Sequence, residues 1–327
     1  MPNRPSAAPD PLFDRRSFVA GAASAVVLSC FGCDSGADAS LSSFGRLEAV
    51  WGTHGIVGGR MHKPRAMAID PSDRLYLVDF TARILAYEAD GEFLHGWQTP
   101  ESHNGRPTGL TFDPVDNELL VADTHYYRVL AYTPDGRLKP EHTIGGVNGR
   151  GEGEFGFVTD VARDSSGCYY VSEYGDNDRI QKFSPEREYL LQWGSHGSGE
   201  LQFKRPNNLM IDPDDRVWVC DACNHRVKVF DSSGELLFAW GTEGSGPGEL
   251  YYPYDIVRDH EGDLYIAEFG NHRVQKFTPD GQPLGVWGSQ GSGDGQLWDP
   301  WALVLDSEGR LHVLDTRNHR VQRVEVS

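Results

Sequence analysis

One twelve-residue pattern limits what this chain can fold into, because it comes back. Val219 to Phe230 reads V-C-D-A-C-N-H-R-V-K-V-F, Ile266 to Phe277 reads I-A-E-F-G-N-H-R-V-Q-K-F, and Val313 to Val324 reads V-L-D-T-R-N-H-R-V-Q-R-V. Weaker copies surround Asp79 to Arg83, Asp123 to Arg128 and Glu173 to Arg179. The acid stands at 79, 123, 173, 221, 268 and 315, the arginine at 83, 128, 179, 226, 273 and 320, in steps of 44 to 51 residues. A unit of that length at near-constant spacing belongs to a solenoid or a propeller, where each unit buries its apolar face against its neighbours.

Each copy has the same parts. A Gly-rich loop such as Gly194 to Leu201 leads to a proline: Pro64, Pro107, Pro206, Pro253 and Pro300, with Val158 in that place in the third copy. A short apolar run ending in an acid follows, then a polar turn, a second apolar run and the acid-to-arginine turn. A third run and a hairpin turn such as Pro279-Asp280-Gly281 lead to a fourth, which ends in Trp-Gly at Trp193, Trp240 and Trp287. Short runs of β-branched and aromatic residues between turn signals are strands. Four strands per repeat make a propeller blade.

The count is six. The sixth copy lacks a fourth strand of its own, and an orphan fourth-strand sequence, Leu47 to Gly52, precedes the first copy. The expectation is an all-β, six-bladed propeller whose last blade is closed by the N-terminal strand, which removes two exposed sheet edges.

These copies resemble the NHL repeat family, through Asp/Glu-x-x-Asn-His-Arg-Val-Gln/Lys, the aromatic that follows, and the Trp-Gly to Gly-x-Gly-Glu-Leu link. The resemblance covers about 47 to 326 and is closest in the last two copies. Phe80-Thr81-Ala82 departs from it in the first copy, His125-Tyr126-Tyr127 in the second, and Gly175 to Asp178 lengthens the third. The resemblance implies the propeller without implying one function, because sites are grafted on folds.

The N-terminus reads as a targeting segment. Asp14-Arg15-Arg16-Ser17-Phe18-Val19 before the apolar stretch Ala20 to Ser29 resembles a bacterial twin-arginine export signal. Val27-Leu28-Ser29-Cys30 resembles a lipobox, which makes Cys30 the acylation site, with Cys33 its rival and simple cleavage the alternative. The expected division is a signal peptide at 1–29, a tether at 30–43 and the propeller at 44–327. Location is then periplasmic or at the cell envelope, with the membrane met only through a lipid anchor.

The net charge of -18 opposes binding of nucleic acid, which needs Lys and Arg against phosphates. A monomer is expected. The propeller has only Cys168, Cys220 and Cys223, an odd number that makes no disulfide framework. A lone Cys220-x-x-Cys223 is too little for zinc. The repeated Asp221, Asn224, His225 and Arg226 read as a blade device: acid and arginine pair across the turn, and Asn suits a positive φ there. His225, His272 and His319 lie at one point on three different blades and so do not make a metal site.

A site is expected where the copies disagree, just after the proline, on the face shared by the Gly-rich loops and the acid-to-arginine turns. The first step past it carries Arg65, Thr108, Thr159, Asn207, Tyr254 and Trp301. The second carries Ala66, Gly109, Asp160, Asn208, Asp255 and Ala302. Asp160, Asn208 and Asp255 offer oxygen ligands that suit Ca²⁺, against the alternative that they cap strand ends. Tyr254 and Trp301 are placed for stacking, and Arg65 for an anion. Peptidylglycine amidating lyases, which share this propeller, hold zinc with histidines just after the proline. Arg65, Asn207, Tyr254 and Trp301 occupy those places here. His62, two residues before Pro64, has no partners at matched sites.

These residues point first to a non-enzymatic module that binds protein, peptide or glycan through Arg65, Asp160, Asn208, Tyr254, Asp255 and Trp301. A metal-dependent propeller lyase or hydrolase is the alternative.

Overall fold

The computed structural model describes residues 41–175 and 177–326. The stretch that reads as an export signal, with Cys30 and Cys33, lies outside the described residues. The rest forms six sheets of four antiparallel strands, arranged as a propeller. The fourth blade shows the plan: Pro206–Ile211 lines the channel, followed outward by Val217–Asp221, Arg226–Phe230 and Leu236–Trp240. First strands of neighbouring blades adjoin one another around the axis.

Closure follows the sequence expectation. Gly45–Trp51 pairs antiparallel with Arg320–Val326, with Gly45 opposite Val326 and Trp51 opposite Val321. The last blade is therefore built from both ends of the propeller.

The core is divided among the seams between blades. Tyr76, Val78 and Ile84 of the first blade pack on Leu119, Val121 and Leu130 of the second. Trp218, Cys220 and Val227 of the fourth pack on Ile256, Leu264 and Ile266 of the fifth. Middle strands are apolar on both faces because each face meets a neighbouring blade. Outer strands alternate: Leu237 is 46% exposed while its neighbours Leu236 and Phe238 are half-buried.

The repeated turn is a hydrogen-bonded knot. Asp221 accepts from Nε of Arg226 at 2.8 Å, from the Asn224 amide at 2.9 Å and from the Lys204 backbone N–H at 2.8 Å. Arg226 also donates to the carbonyls of Gly199 and Gln202 at 2.8 and 3.0 Å, which locks the Gly-rich loop to the turn. The acid–arginine pair forms in every blade. One detail differs from expectation. The positive φ falls on His225, His272 and His319, at 54° to 57°, rather than on the Asn. Asn224 instead spends its amide on Asp221 and on the Gly197 carbonyl at 2.9 Å.

Cys220 is buried and Cys223 half-buried, and both are free thiols. Burial raises both thiol pKa values, so neither is an activated nucleophile.

Candidate functional site

The first strands enclose a channel of about 440 Å³ whose lining includes Arg65, Asp160, Asn208, Tyr254, Asp255 and Trp301. That volume is within the range of small-ligand sites. In four blades the pairing with the second strand slips just where the site residues stand: between Val158 and Asp160, Pro206 and Leu209, Pro253 and Asp255, and Pro300 and Leu303. Such bulges turn side chains that a regular strand would alternate.

Two layers result. The inner one is acidic. Asp160 is buried and accepts from the Leu209 N–H and the Asn208 amide, both at 3.0 Å. Asp255 accepts from the N–H groups of Ile256 at 2.8 Å and Leu303 at 2.7 Å. Each carboxylate thus ties its own blade to the next, the third to the fourth and the fifth to the sixth. No ion pair to either is found among the described residues. Burial therefore dominates, and it pushes the Asp160 pKa up to about 7. The Asp255 carboxyl is also raised well above the ordinary range, by burial first and then by the nearby Asp160. Oδ1 of Asn208 is buried without a hydrogen-bond partner.

The outer layer, at the mouth, is aromatic and cationic. Tyr254 stacks on Phe269 at 4.5 Å and meets the edge of Trp301 at 5.0 Å. The Arg65 guanidinium lies 4.6 Å from the centre of the Phe80 ring and 5.5 Å from that of Trp301. Lys63 and Arg106 approach the same Phe80 ring at 5.8 and 4.8 Å. Arg205 stands over Tyr174 and Tyr254 at 4.9 and 5.6 Å. Separations of this size are cation–π contacts.

The six candidate residues therefore share one channel but occupy two layers. Arg65, Tyr254 and Trp301 belong to the mouth, and Asp160, Asn208 and Asp255 to the inner layer. Sequence reasoning missed Lys63, Arg106 and Arg205. Each immediately precedes a strand-opening proline, and reading that column across the copies would have found them.

Three stretches, 203–230, 250–277 and 297–324, match the NHL repeat family. NHL repeat-containing protein 3 of Mus musculus is 29% identical over 173 residues, 48% of this chain and 49% of that protein. The Drosophila melanogaster peptidyl-alpha-hydroxyglycine alpha-amidating lyase 1 is 33% identical over 134 residues, 40% of this chain and 24% of that protein. The chain thus spans less than half the length of these curated relatives. Among solved structures, XC5397 of Xanthomonas campestris, a gluconolactonase, superposes with a TM-score of 0.63 at 15% identity, over 82% of this chain and 87% of that one. That likeness shows the fold alone. Repeat matches, relatives and blade plan agree: the chain carries NHL repeats in its fourth, fifth and sixth blades and folds as a six-bladed propeller.

Proposed function

We propose that this protein is a binding module whose channel mouth takes a peptide segment bearing a carboxylate. One observation carries the reading. In a chain of net charge -18, Lys63, Arg65, Arg106 and Arg205 converge on the aromatic mouth formed by Phe80, Tyr254 and Trp301. Field lines from clustered cations in a low-dielectric cleft draw in an anionic group. The rings take the apolar part of the ligand, and guanidinium groups suit a planar carboxylate. A peptide is favoured over a glycan or a folded protein surface because the relatives' names speak of peptidyl groups.

Titration calorimetry with short peptides, each as free acid and as C-terminal amide, tests this. The free acids are expected to bind more tightly. Arg65→Met and Trp301→Ala are expected to weaken them by about tenfold or more. Equal binding of acid and amide, or no effect of either substitution, overturns the reading. Calcium at Asp160, Asn208 and Asp255 is a further part of the proposal, supported by the unpartnered Oδ1 of Asn208. The same titration with Ca²⁺ checks it.

The lyase relative favours a second reading, peptide lyase chemistry. The zinc set of that family does not fit here, because Arg65, Asn207, Tyr254 and Trp301 stand where its histidines would be. Incubation with an α-hydroxyglycine-terminated peptide, followed by mass spectrometry, distinguishes turnover from binding.

The proposal places this module outside the cytoplasm, anchored through Cys30. Fractionation of cells that express the wild type, an Arg15→Lys/Arg16→Lys variant and Cys30→Ala checks export and anchoring separately.

A further inference from the structure

Seams between consecutive blades bring three equivalent positions together. They are the last residue of the turn before its arginine, a bridge residue in the next Gly-rich loop, and the residue two before the next proline. At the third-to-fourth seam these are Asp178, His196 and Lys204, and Nδ1 of His196 meets the Asp178 carboxylate. At the fourth-to-fifth seam they are His225, Glu243 and Tyr251. His225 lies 3.9 Å from the Glu243 carboxylate and stacks on Tyr251 at 5.0 Å. Those seams fill the positions with groups that complement one another.

The closing seam, sixth to first, fills all three with histidine: His319, His54 and His62. Nε2 of His54 lies 2.9 Å from Nδ1 of His62. The His54 and His319 rings are 4.3 Å apart, and His62 and His319 stack at 5.6 Å. One nitrogen from each lies within 4.8 Å of the other two. We propose that His54, His62 and His319 bind a first-row divalent metal, with Zn²⁺ the favoured ion, and that the metal staples the loop entering the first blade to the sixth blade.

The chemistry suits three imidazoles. Zinc takes neutral histidine nitrogens at about 2.0–2.1 Å and accepts three protein ligands with a fourth position left to water. A tetrahedral ion at that distance sets ligand nitrogens about 3.3 Å apart, so the His54–His62 pair opens slightly and the His319 nitrogen, within 4.8 Å, draws in. His54 is exposed and flanked by Gly55, which makes that opening cheap.

The proton count closes. Each neutral imidazole keeps one N–H. The proton shared between His54 and His62 moves through solvent to a far nitrogen. Nδ1 of His319 accepts the Lys63 N–H at 2.9 Å, which puts its own proton on Nε2. Coordination through Nδ1 keeps that proton and gives up the Lys63 bond. The staple joins His54 and His62 to His319, a separation of the same order as the 256 residues between Lys63 and His319. A cross-link over so long a loop restricts the unfolded chain strongly, and a metal that binds the folded state alone stabilises it by mass action.

The test uses the full chain, stripped of metal with chelator, with ZnCl₂ as titrant and a thermal melt as second readout. One Zn²⁺ per chain is expected, with Kd below about 10 µM and a rise in Tm. His54→Gln and His62→Gln are each expected to weaken binding by about tenfold or more and to remove the Tm rise. Both should leave the metal-free Tm near that of the wild type. His319→Asn, which tolerates the left-handed backbone and can still accept the Lys63 N–H, should behave likewise. Absence of stoichiometric binding overturns the proposal. So does binding that survives all three substitutions, which would place the metal on other histidines. Co²⁺ in place of Zn²⁺ adds a spectroscopic check: intense visible bands are expected from a tetrahedral site, and bands typical of six-coordination overturn the proposed geometry.

Discussion

Nδ1 of His225 accepts the backbone N–H of Tyr252 at 3.1 Å, so the turn of the fourth blade grips the loop that enters the fifth. The same latch joins His272 to Asp299 at 3.1 Å and His319 to Lys63 at 2.9 Å. In the third blade the carboxylate of Asp178 replaces the imidazole and accepts the Arg205 N–H at 3.2 Å. The donors Lys63, Arg205, Tyr252 and Asp299 all have φ between 46° and 56°. The histidine of the repeat thus holds the next blade's entry in a backbone conformation that L residues rarely adopt.

His225→Ala removes the acceptor and places alanine at a φ of 56°. A loss of about 1–3 kcal/mol is expected, from the unsatisfied N–H and the strained backbone together. His225→Asn keeps an acceptor and tolerates that φ, and should recover most of the loss. Urea denaturation of the three proteins checks both expectations.

Deletion of residues 44–52 removes the strand that pairs with Arg320–Val326 and leaves the sixth blade with an open edge. Phe44, which packs against Tyr265 at 5.2 Å, goes with it. The expected result is a fall in Tm on the order of 10 °C or more, with concentration-dependent aggregation from the bared edge. Unchanged melting would argue against closure by this strand.

Lys228 stands where the sister blades carry Gln181, Gln275 and Gln322. It is fully buried, and Nζ donates to the carbonyls of Glu200 at 2.7 Å and Gln202 at 2.6 Å. Burial lowers its pKa to about 8. A lysine whose folded pKa is depressed destabilises the fold wherever the unfolded chain holds the extra proton. Stability is therefore lost as pH falls from about 10.5 to about 8, and the loss is complete below that. Gln275 shows what replaces it: its amide donates to the Glu249 carbonyl at 2.8 Å and accepts the Gly248 N–H at 3.1 Å. Lys228→Gln is expected to gain about 1–3 kcal/mol at pH 7 and to flatten this alkaline dependence. Denaturation at pH 7 and pH 10 measures both.

Asp160 gives the opposite window. Folded, it holds its proton up to about pH 7, well above the 3.8 of a free aspartate. Between those values the native state binds more protons, so this group's contribution falls as pH rises through the interval and is constant above it. The upper bound is about 4 kcal/mol. Asp160→Asn loses an acceptor and should be less stable overall. The informative readout is its slope of stability against pH from 4 to 7, which should be shallower than in the wild type.

The blade count and the closure were legible because they rest on residues that recur, such as Asp221 with Arg226, and on the fourth-strand signature that ends in Trp51. The columns after the proline were legible too, and they named the channel lining. The layering was not. Whether Tyr254 faces the mouth while Asp255 turns inward depends on a bulge between Pro253 and Asp255, and nothing local in the sequence marks it. The positive mouth was hidden because Lys63, Arg106 and Arg205 are scattered through an acidic chain. The histidine cluster was hidden for a related reason. His54 and His62 lie in the entry loop of the first copy and His319 in the turn of the last, so a comparison of like positions never places them side by side.

The strand Gly45–Trp51 is the first of the propeller to leave the ribosome and the last to find its partner, since Arg320–Val326 is made at the other end. Five blades can assemble in order as synthesis proceeds, while this strand waits with its hydrogen-bonding groups unclaimed. The ring therefore closes only once the sixth blade has been made, because a product that stops before Arg320 stays open. A chaperone or a second nascent chain that captures the waiting strand would meet it only in that interval.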